Sequence, residues 1–180
     1  MPWSNGGGST REYFREPGGD ARVDWRLSVA EVAADGPFSS FKGLRRVLLL
    51  LTGNGMRLAG PHHDVVLRAP LDALEFDGDT AIAAHLLDGA TTDLNLMWRP
   101  DRWHAAWSVS QGRLAAASAP LPLDVQVAFV ASGTLRVDDV ELSVGDAVSW
   151  SGPVEAIADG ATVHFTLRST TRPTIPDTTG

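Results

Sequence analysis

Short strand-like segments, broken by turn-forming residues about every ten positions, are the feature that most limits what this chain can fold into. Residues 23–30 alternate large apolar side chains with small or polar ones, which predicts a strand with one apolar and one polar face. Residues 47–51 are all apolar, which predicts a strand buried on both faces. Clusters such as 53–55 (GNG) and 77–79 (DGD) are typical of turns. The pattern predicts an all-β sandwich or barrel rather than an α/β fold.

The sequence also repeats itself at low similarity. The letters DGAT at 88–91 recur at 159–162, and a strand-like segment follows each copy. Glycine turns at 53 and at 133 each come between an apolar run and a shorter strand-like segment. Because the matching features follow one another in the same order, we predict an internal duplication.

The repeat suggests where the chain divides. We predict that residues 1–100 form the first barrel and that residues 101–168 form a second, shorter one. The segment 169–180 is rich in Thr and Pro and lacks periodicity, so we expect it to be a mobile C-terminal tail.

The composition argues against several classes of partner. The net charge is −7 and no cluster of Lys and Arg is apparent, which disfavours nucleic acid because a phosphate backbone attracts basic patches. The absence of cysteine excludes disulfides and Cys-ligated metal sites. The longest apolar run, 47–51, is too short to cross a membrane, and the N-terminus does not have the pattern of a signal peptide. We therefore expect a cytoplasmic protein without nucleic-acid or membrane partners.

Several stretches together resemble the HutD/Ves family. They are 3–12 (WSNGGGSTRE), 25–32 (WRLSVAEV), 35–39 (DGPFS) with Phe41, Gly43 and Arg46 beyond it, and 93–97 (DLNLM). The resemblance covers residues 3–168 and implies a compact double cupin, in which two germin-like jelly-roll barrels are fused. It also implies a link to bacterial histidine utilisation for HutD-type members, whereas Ves-type members are associated with stress responses. No decisive mark in the sequence separates the two branches.

Cupins often hold a divalent metal ion with two or three histidines and a glutamate, and this chain lacks that arrangement. The corresponding segments 37–41 and 76–79 contain no histidine, and 150–154 places Val154 where a ligand is expected. Tight sites usually need at least three inward ligands. We therefore expect no bound metal and no other cofactor.

The sequence gives little support for catalysis. There is no cysteine nucleophile and no Gly-x-Ser-x-Gly elbow. Glu12 and Glu31 could act as acid and base, but the sequence does not reveal their separation. We assign no catalytic residue.

The remaining hypothesis is that the protein binds a small anion. An arginine buried in a barrel needs a partner, which can be an internal carboxylate such as Glu12 or Glu31, or the carboxylate of a ligand. Both alternatives are open for each arginine. We expect the ligand to contact residues that lie in the family-like segments, several of them sharing a strand face: Asn5, Thr10, Arg11, Glu12, Arg26, Ser28, Arg46, Asp93 and Asn95.

The leading hypothesis is a non-enzymatic protein that binds a small anionic metabolite. The resemblance suggests a carboxylate intermediate of histidine breakdown, such as formylglutamate or urocanate, and a role in tuning that pathway. One alternative is a metal-independent isomerase or lyase that uses Glu12 or Glu31 with Arg26. Another is a Ves-like stress protein that acts through protein contacts. A homodimer is a possible assembly.

Overall fold

A computed structural model describes residues 1–3, 6–20, 22–111, 124–152 and 154–170, and these residues form β-strands and loops without any helix. The chain divides into two structural units, Met1–Pro100 and Asp101–Gly180. None of the described ranges contains a helix of the length and apolarity that crossing a bilayer requires.

The first unit contains two antiparallel sheets. Its strands are β1 (Gly8–Pro17), β2 (Val23–Val32), β3 (Gly36–Pro37), β4 (Arg45–Thr52), β5 (Met56–Gly60), β6 (His63–Leu67), β7 (Ala73–Asp77), β8 (Ala83–Leu86) and β9 (Thr91–Trp98). Five of them form a large sheet in the order β1-β2-β9-β4-β7, and the other four form a small sheet in the order β3-β8-β5-β6.

The core of the first unit is built by side chains from both sheets. Leu48 and Leu50 of β4 belong to the same buried cluster as Leu58 of β5 and Leu67 of β6. The prediction for 47–51 is confirmed in β4, because Val47 and Leu49, which project from the other face, are as fully buried as Leu48 and Leu50.

The second unit is likewise all-β. Its strands are β10 (Trp103–Gln111), β11 (Asp124–Val130), β12 (Thr134–Val137), β13 (Val140–Ser143), β14 (Ala147–Trp150), β15 (Ala156–Asp159) and β16 (Ala161–Ser169). They form one sheet in the order β10-β16-β11-β14 and another in the order β13-β12-β15. Val130, Leu135 and Ala158 are among the buried residues of its core.

The two units use the same pairing scheme. In the first, β4 pairs with β7 and β9, while β5 pairs with β6 and β8. In the second, β11 pairs with β14 and β16, while β12 pairs with β13 and β15. The first DGAT sequence ends at Thr91, the first residue of β9. The second runs from Asp159, the last residue of β15, to Thr162 in β16, so both sequences lead into equivalent strands.

Two residues predicted to belong to the C-terminal tail, Ser169 and Thr170, lie in or directly after β16. Ser169 pairs with Trp103 in the β10–β16 ladder, and the amide of Thr170 donates to the carbonyl of Arg102 at 2.8 Å. Residues 171–180 lie outside the described part of the chain, and so does Asn5 near the other end.

Candidate ligand-binding site

Three rows of side chains cross the large sheet of the first unit on the face that bears Leu48 and Leu50. Residues paired across antiparallel strands project from the same face, so the register defines each row. The rows are Thr10–Ala30–Asp93–Leu50, Glu12–Ser28–Asn95–Leu48 and Arg15–Arg26–Met97–Arg46. The last row therefore places three arginines on one face, with Met97 between Arg26 and Arg46.

A cavity of about 170 Å³ lies over these rows, and we call it the carboxylate cavity. Thr10, Arg26, Arg46 and Asn95 line it, all of them residues predicted from the sequence. The guanidinium groups of two arginines thus face one small space.

Arg46 is held firmly in place. Its side chain is buried, and its Nε and Nη2 atoms donate to Oδ1 of Asn95 at 2.8 and 2.5 Å. The guanidinium carbon lies 4.6 Å from the ring centroid of Phe38 and 5.3 Å from that of Phe76, which are cation–π distances. Burial lowers the pKa of Arg46 to about 10, so the group still carries its charge at neutral pH. Its Nη1 atom makes no hydrogen bond to any described residue and remains available.

Asp93 orients Asn95 and, through it, Arg46. Its Oδ1 atom accepts a hydrogen bond from the amide nitrogen of Asn95, which orients the amide oxygen toward Arg46. Its Oδ2 atom is buried and has no hydrogen-bond partner among the described residues. Burial raises the pKa of Asp93 to about 6, although the charge of Arg46 and the hydrogen bond from Asn95 act in the opposite direction.

Arg26 is bound less tightly than Arg46. Its nearest carboxylate oxygen, Oε2 of Glu12, is 3.8 Å from Nη1, which is too long for a hydrogen bond. Its Nη2 atom lies 3.7 Å from the sulfur of Met97, and its guanidinium carbon lies 5.3 Å from the ring centroid of Phe41. Partial burial lowers the pKa of Arg26, the charge of Glu12 raises it and the charge of Arg15 lowers it further. The guanidinium therefore retains hydrogen-bonding capacity that a ligand could use.

The other predicted residues lie at different places. Ser28 is buried in the row of Asn95, and Glu12 lies at the partly exposed end of that row. Arg11 projects from the opposite face of the sheet, where its guanidinium carbon stacks 4.7 Å from the ring centroid of Tyr13. Glu31 also projects from that opposite face, and it accepts a weak hydrogen bond from Ser9. The ligand-binding role of each of these residues stays a prediction.

Aromatic residues complete the cavity, and none of them was predicted from the sequence. Phe38 and Phe41 line it beside the two arginines, and Trp3 donates from Nε1 to Oγ1 of Thr10 at 2.8 Å. The two phenylalanines lie in the segment where cupins carry metal ligands. Phenylalanine in place of histidine was therefore the sequence feature that could have revealed the aromatic lining. A lining of guanidinium groups and aromatic rings does not fit a divalent cation. No cluster of three or more His, Asp or Glu side chains that could hold a metal occurs among the described residues.

Comparison with known proteins establishes the family. The sequence model named HutD matches residues 1–167. This chain belongs to the HutD family. A Pseudomonas putida protein described as an uncharacterized 21.2 kDa protein in the hutC 3' region is 37% identical over 140 residues, which is 76% of this chain and 71% of the relative. Protein Ves of Citrobacter koseri is 33% identical over 152 residues, which is 82% of this chain and 76% of the relative.

Solved structures agree with this membership in the HutD family. The structure of HutD from Pseudomonas fluorescens SBW25, in a formate condition, matches with a TM-score of 0.83 and 31% identity over 95% of this chain and 94% of that one. A cupin 2 conserved barrel domain protein from Leptotrichia buccalis matches with a TM-score of 0.56 and 11% identity over 90% of this chain and 88% of that one, which shows the fold alone. The predicted resemblance and the all-β, cupin-like fold are confirmed.

Proposed function

We propose that this HutD-family chain is a non-enzymatic binding protein for a carboxylate intermediate of histidine breakdown, of the formylglutamate or urocanate type, and that binding tunes that pathway. The relative in the hutC 3' region supports the link to this metabolism. The observation that carries the proposal is the carboxylate cavity, in which the guanidinium groups of Arg26 and Arg46 face one small space.

The charge balance of the cavity favours an anion. Arg15 and Arg26 are direct neighbours in one row and Arg46 lies one strand beyond Met97 in the same row, so the three like charges repel each other. The nearest acids offset this only in part, because Asp93 and Glu12 supply two negative charges against three positive ones, and Glu12 is shared between Arg15 and Arg26. A ligand carboxylate that accepts hydrogen bonds from Arg26 and from Nη1 of Arg46 would relieve the repulsion. The flat faces of Phe38 and Phe41 suit the apolar part of such a ligand.

Calorimetric titration of the intact protein with urocanate and formylglutamate tests the proposal. We expect saturable binding that Arg26→Ala weakens by about tenfold or more, since a charge-assisted hydrogen bond contributes about 1.5–3 kcal/mol. Arg68→Ala is the matched control, because it removes the same charge from an exposed position of the same unit that does not line the cavity. Equal weakening by both variants, or no binding of either acid to the unsubstituted protein, would overturn the proposal.

Catalysis is the second candidate, and the position of Glu12 is the observation that favours it. Its carboxylate is near Arg26 and partly exposed, so it could move a proton on an acid held by that arginine. NMR spectra of each acid incubated with the protein would reveal turnover as new resonances. Turnover that disappears in Glu12→Gln would favour a metal-independent isomerase or lyase over the binding protein. A Ves-like role through protein contacts is the third candidate, and the similarity to Protein Ves keeps that branch of the family open.

We also propose that the two units arose by internal duplication and form the double cupin. The identical pairing schemes support this origin. So do Gly53 and Gly133, which occupy equivalent turns and both have positive φ, and Thr91 and Thr162, which end the two DGAT repeats and are both buried.

A further inference from the structure

A second cavity of about 310 Å³ lies beyond the arginine row of the first unit, and we call it the basic cavity. Arg15, Arg22, Lys42 and Arg99 line it. Lys42 is the only lysine of the chain. A concentration of four cationic side chains around one space is unexpected in a protein whose net charge is −7.

Two local features of the backbone build this cavity. The register of β1 against β2 shifts between Glu12 and Phe14, which is a β-bulge, and the shift turns Arg15 to the same face as Arg26. On the other side, the amide of Leu44 donates to the carbonyl of Phe41 at 3.1 Å and closes a turn in which Gly43 has a φ of +78°. This turn presents Lys42 to the cavity.

Acidic neighbours neutralise only some of these cations. Asp20 lies 2.8 Å from Arg99 and also pairs with Arg22, and Asp24 lies 3.8 Å from Arg99. The hydrogen bonds from Arg22 and Arg99 hold the pKa of Asp20 well below its ordinary value, so it is ionised at neutral pH.

Arg15 and Lys42 are left with little compensation. Among the described residues, the only carboxylate paired with Arg15 is that of Glu12 at 3.5 Å, and Glu12 is also the nearest acid to Arg26. Within the described ranges, Lys42 has no ion pair or hydrogen bond of its side chain. The four cations are opposed by Asp20, Asp24 and a share of Glu12, so the basic cavity keeps an excess of between one and two positive charges.

We propose that the basic cavity is a second anion-binding site, distinct from the carboxylate cavity, and that it takes a small anion bearing at least two negative charges, such as a phosphate group or a polycarboxylate. Arg99, which is only 10% exposed and held by two aspartates, supplies a rigid cationic floor. Arg15 and Lys42 supply the charges that are least compensated by neighbouring acids. A singly charged carboxylate would neutralise only part of the excess and could not pair fully with both Arg15 and Lys42, so it should bind less tightly.

NMR titration of the intact ¹⁵N-labelled protein at constant ionic strength tests this inference. Inorganic phosphate and citrate are the probes, and acetate is the singly charged comparison. We expect saturable amide shifts in the turn at 41–44 with phosphate or citrate, and at least about tenfold weaker binding of acetate. Shifts with phosphate alone would identify a phosphate site, whereas shifts with both would identify a site for any compact polyanion.

Charge-matched variants separate a specific site from general screening. The double variant Arg15→Ala/Lys42→Ala should weaken phosphate or citrate binding by about tenfold or more. Arg68→Ala/Arg136→Ala removes the same charge from exposed positions elsewhere and should leave binding unchanged. Because Arg15 and Lys42 are solvent-accessible, we expect the test variant to fold, and Lys42→Gln alone is the milder alternative. Equal weakening in the control, or shifts that spread over the surface without saturation, would overturn the inference.

The proposals for the two binding sites can be tested independently. Arg26→Ala removes a guanidinium from the carboxylate cavity but none from the basic cavity, so phosphate or citrate should still bind to that variant. Loss of phosphate and citrate binding in Arg26→Ala, with the fold intact, would contradict a separate site.

Discussion

Asp93 is the residue whose burial has the clearest energetic consequence. Its carboxylate holds Asn95, and Asn95 holds Arg46, so one acid orients the cation that faces the carboxylate cavity. The orientation has a cost, because one oxygen of the carboxylate is buried without a hydrogen-bond partner in the described part of the chain. We infer that Asp93 serves the position of Arg46 rather than the stability of the fold.

The stability of the protein should therefore depend on the ionisation of Asp93. Its pKa is about 6 in the folded protein, against an ordinary value of 3.8, so the folded state binds the proton more tightly. The contribution of Asp93 to stability is full below pH 3.8 and is lost as the pH rises through 6. Across that window we expect the free energy of unfolding to fall by up to about 3 kcal/mol through this group alone.

Urea unfolding between pH 4 and pH 7 measures this effect when Asp93→Asn is compared with the unsubstituted protein. The gap in unfolding free energy should shift in favour of the variant as the pH rises. Asp139→Asn, at an exposed position, is the control and should run parallel to the unsubstituted protein. Parallel curves for Asp93→Asn as well would contradict a raised pKa.

At the scale of elements, glycine turns fix how neighbouring strands approach each other. Gly133 has a φ of +72°, and a Cβ atom there would lie 1.7 Å from the carbonyl oxygen of Asp159. Gly145 has a φ of +86°, but a Cβ atom there would meet nothing within 4 Å. The pair separates the cost of the backbone conformation from the cost of the close approach.

Alanine at each position measures the two costs. Gly145→Ala should lower the unfolding free energy by about 1–2 kcal/mol, the penalty of a left-handed conformation for a residue with a Cβ. Gly133→Ala should lower it by about 1–3 kcal/mol more, because the turn has to move away from β15. Denaturant unfolding of both variants gives the difference directly. Equal losses would mean that the approach of the two turns is looser than the structure has it.

The sequence predicted the regular strands of the first unit. It did not predict the side chains that a β-bulge and a loop bring to the cavities. The alternation in 23–30 correctly placed Arg26 and Ser28 on one face, because a strand has a fixed period. The same rule fails past the bulge in β1, where the register shift turns Arg15 to that face. Phe38 and Phe41 follow β3 in a loop, where no periodicity reports which way a side chain points. Such loop positions depend on contacts that are distant in sequence.

At the scale of the whole molecule, the positive charges are concentrated around two cavities of a protein that is acidic overall. Six of the 15 Lys and Arg residues line the two cavities, although the chain is acidic overall with a net charge of −7. The surrounding acidity repels anions at long range, so affinity has to come from short-range contacts with these side chains. The two cavities differ in exposure, and salt should distinguish them.

Binding at the two cavities should respond differently to added NaCl. Raising it from about 20 to about 200 mM shortens the Debye length from about 20 to about 7 Å, which screens exposed charges far more than buried ones. We expect phosphate affinity at the basic cavity to fall by about tenfold and carboxylate affinity at the other cavity to fall by about threefold or less. Calorimetry at four salt concentrations checks this. The reverse order would mean that Arg26 and Arg46 are more accessible to solvent than the structure has them.

Phe41 lines both cavities, and its ring also stacks on Arg26. We infer that this aromatic side chain separates the two cavities and limits the length of molecule that either can accept. Replacement by a smaller residue would exchange two short compartments for a single longer one, with cations along its whole extent. Within a family that shares this fold, ligand size could therefore change through one codon, without any alteration of the arginines.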